Sequence, residues 1–432
     1  MSESYGGHPL RYNRALTFCG LLLAVTFFGS LLFGHGAEAL TLRRGVAIHN
    51  MMNWARINSP PSTKYAWPPF NGHQFELPDS EILVIRQAGF DFVRLTVDPG
   101  PFLQFEGYQR DDLDRILVNN IRRLQRFGFK VVVDFHPNSQ NPEFAPKMLT
   151  RGVDDALFVR YVKMIHRTAA VLAQEFPNDM DTIALEPMNE PYLGYLFGSS
   201  SQWQQMIERL HAAARSASER LSLVVTGDRY GNYLGLIQLN PNSFRDENTF
   251  YTFHYYLPFE FTNQGNAAEV SAKYYYGNPY PTKKRTFKDV WPDVERRIQA
   301  DNSNMSERAA VTAATRRQLS KYFEKSFDAR TIAENFDKVL GWAMRYNINP
   351  SRILLGEFGV MRTYGSYVGA PNDDRHRWLE DVRRAAEVRG FPWAIWVYKG
   401  YGGMAIVADD KSINIDPIVL DALGLNKNHP SQ

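Results

Sequence analysis

A single cysteine, Cys19, occurs in 432 residues. With no second cysteine the chain forms no internal disulfide, and a cysteine-based metal site is excluded. A surplus of one charge is also missing: 49 basic residues stand against 46 acidic ones, for a net +3. Neither a polyanion nor an anionic membrane surface is therefore implied as a partner. No basic stripe, zinc-knuckle spacing or RNA-type aromatic pair occurs, so no nucleic acid is expected. No glycine-rich phosphate turn follows the first strand, which argues against an open, doubly wound nucleotide fold. A His-x-His pair is absent too. The first strand ends in His49 alone and the third in Asp134-Phe135-His136, so no metal or other cofactor is expected and a metal-dependent barrel enzyme is disfavoured. Internal repeats and Ser/Pro/Thr linkers are lacking, which points to one domain without an appended binding module.

The N-terminal residues differ in character from the rest. Arg11 and Arg14 precede an apolar run from Leu16 to Phe33, and Ala37-Glu38-Ala39 offers a small-x-small cleavage site. This layout predicts an export signal over residues 1–39, with 40–432 as the mature domain, secreted or periplasmic. The run, of roughly 17 residues, is long for a signal core and short for a membrane span, so an uncleaved N-terminal anchor is the alternative. Cys19 lies early in the run rather than at its end, which disfavours a lipid-modified cysteine.

Short apolar strands alternate with amphipathic helical stretches in the remainder. Strands are predicted at 44–49, 90–95, 130–136, 182–190, 221–226, 249–255, 353–357 and 392–396. Helices are predicted at 79–88, 111–127, 154–175, 202–219, 330–346 and 375–388. Eight strands with intervening helices predict a parallel sheet closed into a TIM (β/α)8 barrel. One stretch breaks the rhythm. Residues 258–328 form a long, polar, Lys/Arg-rich insertion between the sixth strand and its helix, too long for plain coil.

Chemistry in such a barrel collects where the strands end, because those loops surround one mouth. The predicted ends carry His49 and Asn50, Arg94, His136, Asn189 and Glu190, His254 and Tyr256, Glu357, and Trp396. Asp228, just past the fifth strand, is a further candidate. Each has an ordinary structural role open to it: an Arg94–Glu357 salt bridge, a satisfied core histidine at 136, a helix cap at 190, packing at 396. Their recurrence at one end of successive strands argues for a shared site. Two carboxylates on the fourth and seventh strands would face each other across the mouth. Cleavage of a glycosidic bond needs such a pair, one to protonate the departing oxygen and one to attack or stabilise the anomeric carbon.

The same strand ends resemble glycoside hydrolase family five, the cellulase-like branch of the retaining TIM-barrel glycosidases. The resemblance runs from Arg44-Gly45-Val46 to Gly402-Gly403, strongest at Glu186-Pro187-Met188-Asn189-Glu190-Pro191, His254-Tyr255-Tyr256 and Gly356-Glu357-Phe358-Gly359. It implies Glu190 as acid/base and Glu357 as nucleophile. It further implies that Asn189 binds the sugar 2-hydroxyl, that Arg94 and Tyr256 hold Glu357 ionised, and that His136 and His254 contact the sugar or the acid/base. Trp396 would floor the reactive subsite. The implied reaction is double displacement on a polysaccharide, with no protein partner. The segment from Tyr256 to Gly265 is similar to a bacterial cellulase subgroup, which favours a β-1,4-glucan. Mannan, a β-1,3- or β-1,6-glucan, or an exopolysaccharide are alternatives under the same chemistry, and a non-catalytic glycan-binding barrel is a remoter one. Trp54, Trp67, Tyr192, Tyr230 and Tyr401 are candidates for further subsites.

Overall fold

The computed structural model describes residues 39–193, 199–244, 246–270, 272–301, 304–364, 368–400, 402–409 and 411–425. Residues 1–38 of the predicted leader (1–39) and Tyr401 lie outside the described residues. Eight parallel strands close into one barrel in chain order. They are β1 (Arg44–Met52), β2 (Phe92–Val97), β3 (Lys130–Phe135), β4 (Ile183–Glu186), β5 (Ser222–Thr226), β6 (Thr249–Tyr255), β7 (Ile353–Phe358) and β8 (Trp393–Ile395). β1 pairs with both β2 and β8, which completes the ring. The predicted TIM barrel is the observed fold. No described helix is long and apolar enough to cross a membrane.

Side chains alternate between the two faces of a strand, and here both faces are covered. Val93, Leu95 and Val97 of β2, with Val131, Val133 and Phe135 of β3, join the large core shared with the surrounding helices. The opposite set, Phe92, Val132, Ala184, Val224, Phe250, Leu354 and Ala394, forms an apolar plug inside the barrel with Leu40 and Leu42. Burial on both faces is why these strands read as unbroken apolar runs. Two residues further along, the inward set turns polar: Arg94, Asp134, Glu186, Thr226 and Thr252 are all buried. The barrel is thus apolar at one end and charged towards the other.

β7 departs from strict alternation. Phe253 pairs with Leu355, but the next residue, His254, pairs with Glu357, so Gly356 is an extra residue in β7. A bulge re-aims the side chain that follows it. Gly356 is required there, because a Cβ would lie 2.3 Å from Thr252 Oγ1 and 3.2 Å from His254 Nε2. Glu357 consequently turns into the barrel mouth instead of towards the helices.

One expectation needs correction. β4 ends at Glu186 rather than Glu190, so Asn189 and Glu190 stand on the loop after it. The 258–328 segment, polar in composition, builds an apolar core of its own from Tyr274, Tyr275, Val290, Trp291, Val294, Ile298 and Leu319. Four of these lie on one face of the helix Phe287–Gln299, at the spacing an amphipathic helix buries. The segment is tied to the helix Asn372–Glu387 by a Lys284–Asp374 ion pair and by Tyr280 Oη donating to Asp381 at 2.7 Å.

Gly45 in β1 sits under the Phe92 ring, and a Cβ there would approach three ring atoms to 2.3–2.6 Å. Gly45→Ala should therefore destabilise the barrel by about 1–3 kcal/mol or more through overpacking. Gly341 lies in the exposed interior of the helix Ala329–Arg345 with open space at its Cβ position. Gly341→Ala should stabilise by about 0.5–1 kcal/mol. Denaturant melts of both variants check the pair.

Candidate active site

Arg94 projects from β2 into the barrel, where it is fully buried. Its guanidinium donates to Glu186 through Nε and Nη2, both at 2.8 Å, and to Glu357 Oε1 through Nη1 at 2.6 Å. Nη2 also donates to Asn189 Oδ1 at 2.6 Å and pairs with Asp134 Oδ2 at 3.1 Å. One cation thus faces three carboxylates from β3, β4 and β7. Burial alone would lower the Arg94 pKa, but Asp134, Glu186 and Glu357 outweigh it and push it upward. A guanidinium keeps its charge under such conditions and offers five donors in a rigid fork.

Glu357 is held from two sides. Besides Arg94, Tyr256 Oη donates to its Oε2 at 2.8 Å. Glu190 has a different environment: its partner is His254, whose Nδ1 lies 2.7 Å from Glu190 Oε1 and 3.5 Å from Glu357 Oε2. The Glu190 side chain keeps 32% of its surface exposed to the cleft. Burial of its carboxyl nevertheless raises its pKa to about 7, against Arg94 and with help from Glu186. Burial lowers the His254 pKa, so this histidine supplies no stable positive charge to offset that rise. The two carboxyls thus have different surroundings: one rests on a guanidinium and a phenol, the other on an imidazole.

His136 lies beneath Asn189 rather than against Glu190. Its Nδ1 is 2.8 Å from Asp134 Oδ2, and Asn189 Nδ2 is 3.2 Å from its Nε2. The His136 ring stacks on Trp396 with centroids 5.3 Å apart at 10°. His49 meets both rings edge-on, at 5.4 and 5.0 Å, and its Nε2 accepts from the Trp54 indole. These groups open onto a cleft of about 670 Å³ whose walls include Glu190, Glu357, Trp54, Tyr230 and Trp396.

The structure therefore gathers Arg94, His136, Asn189, Glu190, His254, Tyr256, Glu357 and Trp396 at one barrel mouth. Of the proposed subsite aromatics, Trp54 and Tyr230 line the cleft, and Tyr192 stacks on Tyr230 with centroids 4.3 Å apart. Trp67 instead packs edge-on against Phe105 at the core's border. Asp228 accepts from Ser200 Oγ at 2.8 Å, tying the turn after β5 to the helix that starts at Ser199. Two participants received no role from the sequence, Asp134 and Glu186. Both sit two residues past an apolar inward position on their strand, a period-2 signal that identifies them in retrospect.

Glu190, His254 and Glu357 each place one ligand-type atom within 4.8 Å of the others, and among the described residues this is the group that could hold a metal ion. The guanidinium 2.6 Å from Glu357 opposes a dication there. The chemistry of the donor set fits proton transfer better than metal binding.

A carboxyl with a raised pKa destabilises the fold once the unfolded chain can ionise it. Glu190 holds its proton to about pH 7 in the folded state, whereas an unfolded Glu loses it near pH 4.3. Stability attributable to Glu190 therefore falls as pH rises across that window. Glu190→Gln should melt close to wild type near pH 4 and above it at pH 8, a difference that thermal melts across pH will read.

The sequence model of the family described as Cellulase (glycosyl hydrolase family 5) matches residues 59–402. Endoglucanase C of Acetivibrio thermocellus is 25% identical over 329 residues, covering 75% of this chain and 84% of its own length. Endoglucanase 3 of Fibrobacter succinogenes is 21% identical over 362 residues, 79% of this chain, and the match spans only 50% of that relative. Among solved structures, the cellulose synthase subunit Z of Clostridioides difficile aligns at TM-score 0.59 and 22% identity, over 88% of this chain and 99% of that one. Thermotoga maritima Cel5A in complex with cellobiose aligns at TM-score 0.59 and 19% identity, over 89% and 97%. These structural likenesses carry the barrel fold. The match to the family model, which spans most of the chain, carries more: this protein belongs to glycosyl hydrolase family 5, the cellulase family.

Proposed function

We propose that this glycosyl hydrolase cleaves a β-1,4-linked glucan by double displacement, with Glu190 as acid/base and Glu357 as nucleophile. The observation that carries the reading is the contrast between two carboxyls with oxygens within 4.8 Å of each other. Carboxyls about 5–5.5 Å apart suit direct attack, whereas the inverting arrangement needs about 6.5–9.5 Å to admit a water between.

A sugar ring resting on Trp396 would present its anomeric carbon to Glu357. The carboxylate attacks that carbon while Glu190 delivers its proton to the departing glycosidic oxygen. The bond to the leaving sugar breaks as the bond to Glu357 forms. Glu190, now ionised, then takes a proton from water, and the oxygen of that water displaces Glu357. Arg94 and Tyr256 keep Glu357 charged and aimed throughout. Asn189, beside Glu190, is placed to donate to the 2-hydroxyl of the reacting sugar.

Endoglucanases among the relatives, and a cellobiose-bound neighbour, support β-1,4-glucan as the substrate. Thermotoga maritima Cel5A has also been solved with mannotriose, which supports mannan as the second polymer to try. We place the enzyme outside the cytoplasm on the strength of the leader's Arg11, Arg14 and apolar run.

Wild type, Glu190→Ala and Glu357→Ala are to be incubated with soluble β-1,4-glucan, mannan and β-1,3-glucan, scoring released reducing ends. Wild type should cut β-1,4-glucan, and each variant should lose roughly 1,000-fold or more. A fully active Glu357→Ala would reject the nucleophile, and wild type inert on all three would reject the substrate class. The pH profile adds a sign. The acid form of Glu190 persists to about pH 7, so kcat/KM should fall as pH rises through that value, and the limb should vanish in Glu190→Ala.

A further inference from the structure

Asp134 is a buried carboxyl with no part in the steps above. It lies on β3 two residues before His136, on the same face of the strand, and its contacts run towards the acid/base.

The direction of each hydrogen bond in this corner follows from Arg94. A guanidinium can only donate, and Arg94 Nη2 is 2.6 Å from Asn189 Oδ1. The other end of that amide, Nδ2, then faces His136 Nε2 at 3.2 Å. An amide nitrogen also only donates, so Nε2 must be bare. Burial drives the His136 pKa down to about 3, and a neutral ring carries one proton. That proton sits on Nδ1, which donates to Asp134 Oδ2 at 2.8 Å. The same oxygen pairs with Arg94 Nη2 at 3.1 Å. The hydrogen bonds thus run in a chain, guanidinium to amide to imidazole to carboxyl, and the Arg94–Asp134 ion pair joins its two ends.

We propose that Asp134 is a positioning residue: by accepting from Nδ1 it locks His136 in the Nδ1–H tautomer, and so holds the Asn189 amide beside Glu190 in one orientation. With the proton on Nε2 instead, two donors would meet, the amide would rotate, and its NH2 would turn against the guanidinium. The ring stacked on Trp396 would keep its place while the amide next to the acid/base was reversed. Asp134 therefore acts through His136 and Asn189 and needs no contact with substrate. A carboxylate that fixes an imidazole tautomer at a reacting centre has large leverage on turnover. The kinetic half of this assignment rests on the reading of Asn189 and Glu190 as the reacting side.

The test uses the full chain with 15N-labelled histidine and reads which His136 nitrogen is protonated. Wild type should show a protonated Nδ1 and a bare Nε2. Asp134→Asn, whose carbonyl can still accept from Nδ1, should keep that pattern, and Asp134→Leu should lose it. On β-1,4-glucan, kcat of Asp134→Leu should fall roughly 10- to 100-fold with KM within about twofold, and Asp134→Asn should recover most of the loss. A protonated Nε2 in wild type overturns the proposal, as does an unchanged tautomer in Asp134→Leu or a loss confined to KM. Should Asp134→Leu fail to fold, the wild-type and Asp134→Asn spectra still decide. The tautomer readout needs no turnover, so its failure is distinct from a failure of the Glu190 and Glu357 assignments.

Discussion

One guanidinium organises this barrel mouth. Arg94 stands in the polar layer above the apolar plug and bonds to carboxylates from three strands, Asp134, Glu186 and Glu357. Each buried charge costs several kcal/mol to dehydrate, and only close, well-directed pairing offsets that cost. Losing Arg94 would leave three anions confined together. The same arrangement gives the two mouth carboxyls different surroundings. Glu357 touches the guanidinium and Glu190 does not, and Glu190 is left with a neutral His254 and a raised pKa. The ion cluster that holds Glu357 and the raised pKa of Glu190 belong, in this site, to one arrangement.

The rim of the cleft shows a second constraint, in the backbone. Trp54, Arg229 and Tyr230 all adopt left-handed φ values of 54–58°, and Gly231 follows at 64°. Non-glycine residues held there cost of order 1–3 kcal/mol each and persist only where surroundings enforce them. Here the surroundings are visible. Tyr230 N donates to Pro191 O at 3.1 Å, and His254 N donates to Gly231 O at 2.8 Å. The turn after β5 is thus fastened to the Glu190 loop on one side and to β6 on the other, and it carries Tyr230 out over the cleft.

Much of this was legible in the residues. The β-branched runs, the helix spacing between them and the count of eight strands specify a barrel, because eight alternating strand–helix units are what the (β/α)8 barrel is built from. The polar strand ends, from Arg94 to Trp396, mark the mouth because loop chemistry concentrates there. Glu357 was legible as the end of a strand and in the family resemblance, but its direction was not. By strict alternation with Leu354 it would point outward, and the bulge at Gly356 that turns it inward depends on pairing with β6. Asp134 and Glu186 were hidden for a related reason. Their spacing was readable, but their meaning depends on Arg94 reaching them across the barrel. The core of the 258–328 segment was masked by its many charges, since Trp291 and its neighbours become a face only once the helix forms. Trp67 shows the converse, an aromatic near the mouth in sequence and turned away from it in space.

The account's central claim is that Glu357, charged on its guanidinium, attacks the anomeric carbon directly. Proton NMR of the first product released from a β-1,4-glucan reads this through the anomeric configuration before mutarotation. Two successive inversions predict the β-anomer first, with the α-anomer appearing only as the sugar equilibrates. Initial release of the α-anomer would mean a single inversion by water and would contradict the role assigned to Glu357.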